Sequence, residues 1–307
     1  MSLILDSTLR DGAYAFGNCM PMAYVNVIAE NLDELVDFIE VGSSISFGYG
    51  SPTSLEDDLE RLEAVNSILQ SSTSAIFIQP HLWFSIGSPS ISELSTRPGL
   101  IRIGIDPELP PSIEHELISE CRELGIPFSI NLMKVYKHTP ETLSNIFRLC
   151  NQKADFVSIV DSSGCMTIEE VLNLIEDLSR KVRASFGLHI HNNIGHANQI
   201  SLSGLSKGFC IDSTLMGHGR AGGNADTCLL VIKRALLCDM SLDSVDLIVQ
   251  KLMAATSLIW GASAREHLIN ILFGVTSLHS SKLNSKILSS LQMIPSVKSM
   301  LSTAWQQ

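Results

Sequence analysis

The chain is short of charge: only 17% of its 307 residues are Asp, Glu, Lys or Arg, and 21 basic residues face 32 acidic ones. A net charge of −11 and the want of any Lys/Arg cluster argue against nucleic acid or an anionic membrane as a partner. Low charge is not the mark of a disordered chain here, because 45% of the residues are hydrophobic, enough for one large core. Long apolar runs are missing too. No stretch reaches about 18 apolar residues, and the N-terminus passes straight into Leu3–Leu5 with no charged leader region or cleavage site. A soluble cytoplasmic enzyme is the expectation.

Cysteine pairs are also lacking. The seven cysteines are odd in number and scattered, and none forms C-x-x-C, so neither a disulfide framework nor a thiolate zinc site is indicated. They read as small buried hydrophobes in a reducing compartment.

What the chain does have is alternation. Short apolar runs predict strands at Leu3–Thr8, Phe38–Gly42, Ala75–Gln79, Leu100–Ile105, Phe128–Met133, Phe156–Val160, Gly187–His191 and Ile211–Met216. Helical periodicity lies between them, as at Leu55–Leu69, Ser112–Leu124, Pro140–Asn151, Thr167–Arg183, Ala197–Ser206 and Asp226–Leu237. Thr139-Pro140-Glu141 offers an N-cap followed by proline, and Thr167-Ile168-Glu169-Glu170 a capping box. Eight strand–helix units call for an α/β fold, a closed (β/α)₈ TIM barrel. A doubly wound open sheet would want a glycine-rich phosphate loop after the first strand, where the chain instead has Thr8-Leu9-Arg10-Asp11-Gly12. Beyond about residue 240 only helices are predicted, at Leu242–Ser257, Ala264–Phe273 and a Ser-rich pair in Ser285–Leu301. The expected organisation is a barrel over residues 1–240 and a short C-terminal helical extension over 241–307, packed on it.

Barrel function collects where strands end. There the chain places Arg10-Asp11, Ser43-Ser44, Asn131, Ser162, the run His189-Ile190-His191-Asn192-Asn193 and the loop Gly217–Asn224. His189 and His191 are two apart on a strand and so share a face. Two imidazoles and a carboxylate make a facial set for a divalent metal with positions left open for substrate. Asp11 is the natural third ligand, because strand 1 closes against strand 8. The bland alternative is a pair of polar strand-end histidines. Arg10 would stabilise an oxyanion developing on a 2-oxo acid, or else form a structural ion pair with a barrel carboxylate such as Asp6 or Asp161. The glycine run matches neither phosphate-loop pattern. It reads as close backbone approach to the site, with Asn224 offering an amide oxygen, or as turn geometry alone. Arg102, Asn131 and Ser162 are expected at the substrate.

Together, D-S-T-L-R-D-G (Asp6–Gly12), H-I-H-N-N (His189–Asn193) and G-R-A-G-G-N (Gly219–Asn224) resemble the metal-dependent lyases and synthases of the DRE-TIM metallolyase superfamily. That group includes 4-hydroxy-2-oxovalerate aldolase, HMG-CoA lyase, and isopropylmalate and homocitrate synthases. The chain looks most like the aldolases: Ser46-Phe47-Gly48-Tyr49-Gly50 resembles their S-F-N-Y-G, and Asp161-Ser162-Ser163-Gly164 their D-S-x-G. The resemblance implies Asp11, His189, His191 and, less firmly, Asn224 as ligands of Mn²⁺ or Mg²⁺, or more weakly Zn²⁺ or Co²⁺. It implies Arg10 as the enolate-stabilising cation, and pyruvate and an aldehyde as substrates. An aldehyde dehydrogenase partner or a homodimer is a weaker implication.

The chain departs from the family at two places. The aldolases carry a histidine base three residues after the motif aspartate, where this chain has Tyr14, a weak base at neutral pH. A family tyrosine in the C-terminal region aligns with Thr276. Tyr14 is the candidate for proton handling, with His218 a second one. The expected reaction is cleavage or formation of the C3–C4 bond of a 4-hydroxy-2-oxo acid. The alternatives are a Claisen-type condensation of an acyl-CoA with a 2-oxo acid, and a metal-binding barrel without catalysis.

Overall fold

Each predicted apolar run becomes a strand, because parallel strands covered on both faces must be apolar almost throughout. The computed structural model describes residues 2–49, 54–109, 114–139, 143 and 154–275. The strands are β1 Leu3–Asp6, β2 Phe38–Val41, β3 Thr73–Ile78, β4 Leu100–Ile105, β5 Phe128–Leu132, β6 Phe156–Asp161, β7 Ser185–Ile190 and β8 Cys210–Ser213. They pair in parallel in sequence order, and β8 closes on β1 with Leu3 beside Cys210 and Asp6 beside Ser213. This is the (β/α)₈ barrel expected. β8 is shorter than predicted: it ends at Ser213, and Leu215–Gly217 turns into a 3-10 segment with Met216 at φ 57°.

The helices are α1 Met22–Leu32, α2 Leu55–Ile68, α3 Pro80–Ser85, α4 Glu114–Leu124, α5 Ile168–Ser179, α6 Ala197–Ser206, α7 Thr227–Leu237, α8 Leu242–Trp260 and α9 Ala262–Val275. The Thr167 capping box on α5 forms as predicted, its hydroxyl accepting from Glu170 N–H. A second box, Ser54 with Asp57, starts α2. α8 packs on α1, and α9 on α7 and α8. The expected helix Pro140–Asn151, the Ser285–Leu301 pair and Thr276 lie outside the described residues, apart from Leu143.

Most of the core lies between strands and helices, with Ile39, Val41, Ile101, Ile103 and Ile211 among its buried residues. The alternate positions of the same strands face the barrel interior. Leu5, Ala75, Leu100 and Cys210 form a small separate apolar cluster there, with Phe38 and Phe156 against it. Two residues further along β2, β4 and β8, on the same face as Phe38, Leu100 and Cys210, come Glu40, Arg102 and Asp212. Charge therefore starts one layer above an apolar floor.

Candidate metal centre

The turn after β1 delivers the first two site residues. The amides of Arg10, Asp11 and Gly12 all donate to Ser7 O, at 3.1, 2.7 and 3.1 Å. Asp6, the final residue of β1, accepts from Thr8 N–H and from the Thr227 hydroxyl. The loop is thereby tied to the start of α7, and Arg10 and Asp11 are held over the barrel mouth.

β7 supplies the histidines. His189 lies in the strand, and His191 follows its last residue, with its amide donating to Asp161 O at 3.3 Å. The rings meet edge to face, centroids 5.0 Å apart. Gly164 lets the neighbouring loop approach: a Cβ there would stand 2.5 Å from His191 O. Asp11, His189 and His191 are all buried, and one donor atom from each lies within 4.8 Å of the others. His189 Nε2 is 3.6 Å from Asp11 Oδ2.

Behind these donors runs a closed circuit of charge. Arg10 Nε donates to Glu40 Oε2 at 2.6 Å, and Arg102 donates to the other Glu40 oxygen and to Asp212 Oδ2. Asp212 faces His189 Nδ1 at 3.1 Å, and Asp11 returns to Arg10 Nη1 at 3.8 Å. Two guanidiniums face three carboxylates, so acids outnumber bases beside the two imidazoles. Burying such charges is favourable only when each is paired in turn, which this ring achieves.

The titration behaviour follows from these contacts. Burial pushes the Asp11 carboxyl up, but Arg10, His191 and His189, with a hydrogen bond from Asn224, outweigh it and hold the group at about 2. Burial and the neighbouring His189 lower His191 to about 4. Burial opposes ionisation of Asp212, yet Arg102 and His189 pull it below the ordinary value. An ionised Asp212 only accepts, so His189 donates from Nδ1 and leaves Nε2 facing Asp11. His191 Nδ1 lies 3.3 Å from Gly223 O, which likewise frees its Nε2.

These residues fit a divalent cation. A carboxylate held ionised and two imidazoles oriented from behind, with the unpartnered oxygen of an amide nearby, are what such an ion requires. Asn224 Oδ1 is buried beside them without a hydrogen-bond partner.

The site opens into a cavity of about 110 Å³, small enough to suit a molecule of few atoms. Arg10, Asp11, Tyr14, His189, His191, Asn131 and Ser162 all line it, so the structure brings together most of the expected set. Tyr14 lies on a 3-10 turn, Asp11–Phe16. One expectation is corrected. Arg102 does not line the cavity; it is 1% exposed and spent on Glu40 and Asp212. Arg10 does pair with a barrel carboxylate, Glu40, while Asp161 accepts from Met166 N–H. Asn224 Nδ2 donates to Asp11 Oδ2 at 2.8 Å. His218 also stands outside the lining, stacked on the Trp260 indole at 4.5 Å.

Sequence reasoning missed Glu40, Asp212, Phe77, Gln79 and Arg220. Phe77 underlies the Arg10 guanidinium at 4.9 Å, and Arg220 lies over the Tyr14 ring at 5.7 Å. For Glu40 and Asp212 a signal existed: a lone acid inside an apolar strand, F-I-E-V and C-I-D-S.

A family model described as HMGL-like matches residues 100–259, just over half of the chain. The 4-hydroxy-2-oxovalerate aldolase of Thermus thermophilus is 31% identical over 235 residues, covering 73% of this chain and 65% of that protein. Its counterpart from Carboxydothermus hydrogenoformans is 31% identical over 245 residues, covering 76% and 70%. The chain thus spans about two thirds of the length of these relatives. A solved N-terminal domain from Bacteroides vulgatus, of a protein to which aldolase activity is ascribed, matches with TM-score 0.67 at 24% identity. It covers 89% of this chain and 96% of that domain, a likeness of fold. By the family match and these identities, the chain belongs to the HMGL-like family.

Proposed function

We propose that the protein is a divalent-metal-dependent aldolase that cleaves or forms the C3–C4 bond of a 4-hydroxy-2-oxo acid, with pyruvate and an aldehyde as the other side of the reaction. The observation that carries this reading is the convergence of Asp11, His189 and His191 on one point of a cavity that Arg10 and Tyr14 also line. The aldolase names of the relatives support it and give the Claisen-type alternative no support. A bound divalent ion, Mn²⁺ or Mg²⁺ before Zn²⁺ or Co²⁺, would act as a Lewis acid toward the 2-oxo acid.

In the cleavage direction the 4-hydroxyl proton leaves, the C3–C4 bond breaks, the aldehyde carbonyl forms, and the electron pair passes into an enolate that is protonated at C3 to give pyruvate. Arg10 stabilises the enolate oxygen. Glu40 fixes its Nε edge, while Nη2 makes no hydrogen bond among the described residues and keeps its donors for an anion. A cation already desolvated and oriented stabilises developing charge without reorganising. Tyr14 conducts the 4-hydroxyl proton, and Asn131 and Ser162 contact the substrate from the cavity wall. Asn224, whose buried Oδ1 has no hydrogen-bond partner, would offer that oxygen as a further ligand. A dehydrogenase or second copy as partner, cytoplasmic residence, and the division at residue 240 belong to the same reading and rest on the sequence resemblance and pattern.

Metal analysis of the purified protein, with pyruvate methyl exchange followed by NMR in D₂O, tests it. Metal-dependent loss of the methyl protons is expected. No bound ion and no exchange with any of the four metals would refute the aldolase.

A further inference from the structure

The two arginines of the cavity are unlike. Arg10 is buried and neutralised by Glu40. Arg220 is exposed, lines the same cavity, and forms no ion pair among the described residues, though acids outnumber bases in the chain. Its position is imposed by the backbone. Gly223 N–H donates to Arg220 O at 2.9 Å, with Ala221 at φ 52° and Gly223 at φ 81°. Gly222 N–H donates to Asn193 Oδ1 at 3.0 Å, and Asn192 N–H to Gly223 O at 2.9 Å. The turn is pressed on the end of β7 so closely that a Cβ at Gly222 would stand 2.7 Å from Asn193 Cα. A non-glycine residue at positive φ is held there only by such surroundings. The guanidinium is thus presented over Tyr14, the residue that faces the departing aldehyde in the reaction proposed above.

We propose that Arg220 sets substrate specificity by receiving a second anionic group, so that the aldehyde half of the substrate carries a carboxylate or phosphate. This rests on the aldolase reading. A 2-oxo acid brings one carboxylate, and the buried set around Asp11 and Arg10 serves that end. A guanidinium without an ion-pair partner among the described residues, standing over Tyr14, finds no counter-charge on a neutral aldehyde, whereas an oxyanion would take two of its parallel donors. The bond-making is the cleavage written in reverse: pyruvate C3 loses a proton, the new bond joins C3 to the aldehyde carbon, and the aldehyde oxygen gains a proton.

The test compares kcat/KM for pyruvate addition to matched aldehydes, succinic semialdehyde against butanal and glycolaldehyde phosphate against glycolaldehyde, in the native protein, Arg220→Gln and Arg220→Lys. In the native protein the anionic member of one pair is favoured. Arg220→Gln lowers that preference by roughly ten- to a hundredfold, the range of a charge-assisted hydrogen bond, while Arg220→Lys retains most of it. Raising ionic strength narrows the preference in the native protein. The pair that responds tells carboxylate from phosphate. A preference that survives Arg220→Gln, or equal loss on both members, overturns the proposal and leaves Arg220 as a prop for Tyr14. Pyruvate exchange in D₂O by the native protein separates the two levels: exchange without any charge preference sinks this proposal alone, whereas no exchange sinks the aldolase reading with it.

Discussion

Asp212 Oδ2 lies 3.1 Å from His189 Nδ1 and accepts from Arg102 as well, so a single buried carboxylate oxygen orients an imidazole and anchors an arginine. Partners of this kind behind a ligand raise metal affinity about 10- to 100-fold. Asp212→Asn is expected to weaken Mn²⁺ binding by that factor, measured by titration calorimetry. Unchanged affinity would mean that His189 needs no such support.

Glu40 bridges Arg10 and Arg102 with one oxygen each. Removing one member of a buried ion cluster costs about 3–5 kcal/mol, because the charges left behind remain desolvated. Glu40→Gln should lose stability on that order in urea unfolding, more than any surface Glu→Gln change. A loss below about 1 kcal/mol would put the pair in the class of surface bridges.

Asp58 shows a pH dependence with a definite sign. Burial raises its carboxyl from 3.8 to about 6, although the Ser43 and Gly48 amides and Arg61 oppose the rise. The folded state therefore holds the proton more tightly than the unfolded chain. The associated stability is complete below the unfolded value and declines as pH climbs through about 6. Between pH 4 and 7, native stability should fall relative to Asp58→Asn by on the order of 3 kcal/mol. Parallel stability–pH curves for the two proteins would exclude this.

Gly164 and Gly87 form a matched pair. Both have positive φ, 56° and 67°, but a Cβ at Gly164 meets His191 O at 2.5 Å, while one at Gly87 meets nothing within 4 Å. Gly87→Ala should cost only the left-handed strain, about 1–2 kcal/mol. Gly164→Ala should cost more and also weaken metal binding by displacing His191. Equal effects of the two on stability and metal affinity would count against the close-approach role of Gly164.

Much of this was legible in the residues because it depends on short-range rules. The spacing of His189 and His191 puts both on one face, and the Thr167 box starts α5. Helix α1 gave no such signal: it begins at Met22 after Pro21, with no side-chain cap to mark it. Arg102 was misplaced for a different reason. Alternation shows that it faces the barrel interior, but its depth depends on register with the neighbouring strands, where it sits beside Phe77 and Ser129. The Asn224 amide is likewise set by Asp11, more than 200 positions away along the chain. Partners that distant leave no trace in local pattern.

The circuit from Arg10 through Glu40, Arg102, Asp212 and His189 back to Asp11 joins the turn after β1 to β2, β4, β7 and β8. Chemistry and folding therefore depend on the same side chains. A substitution that retunes the reacting centre through any of them also loosens the cross-links between strands. New specificities are more accessible from outside that loop, at the turn bearing Arg220, where an exchange of side chain leaves the interior undisturbed.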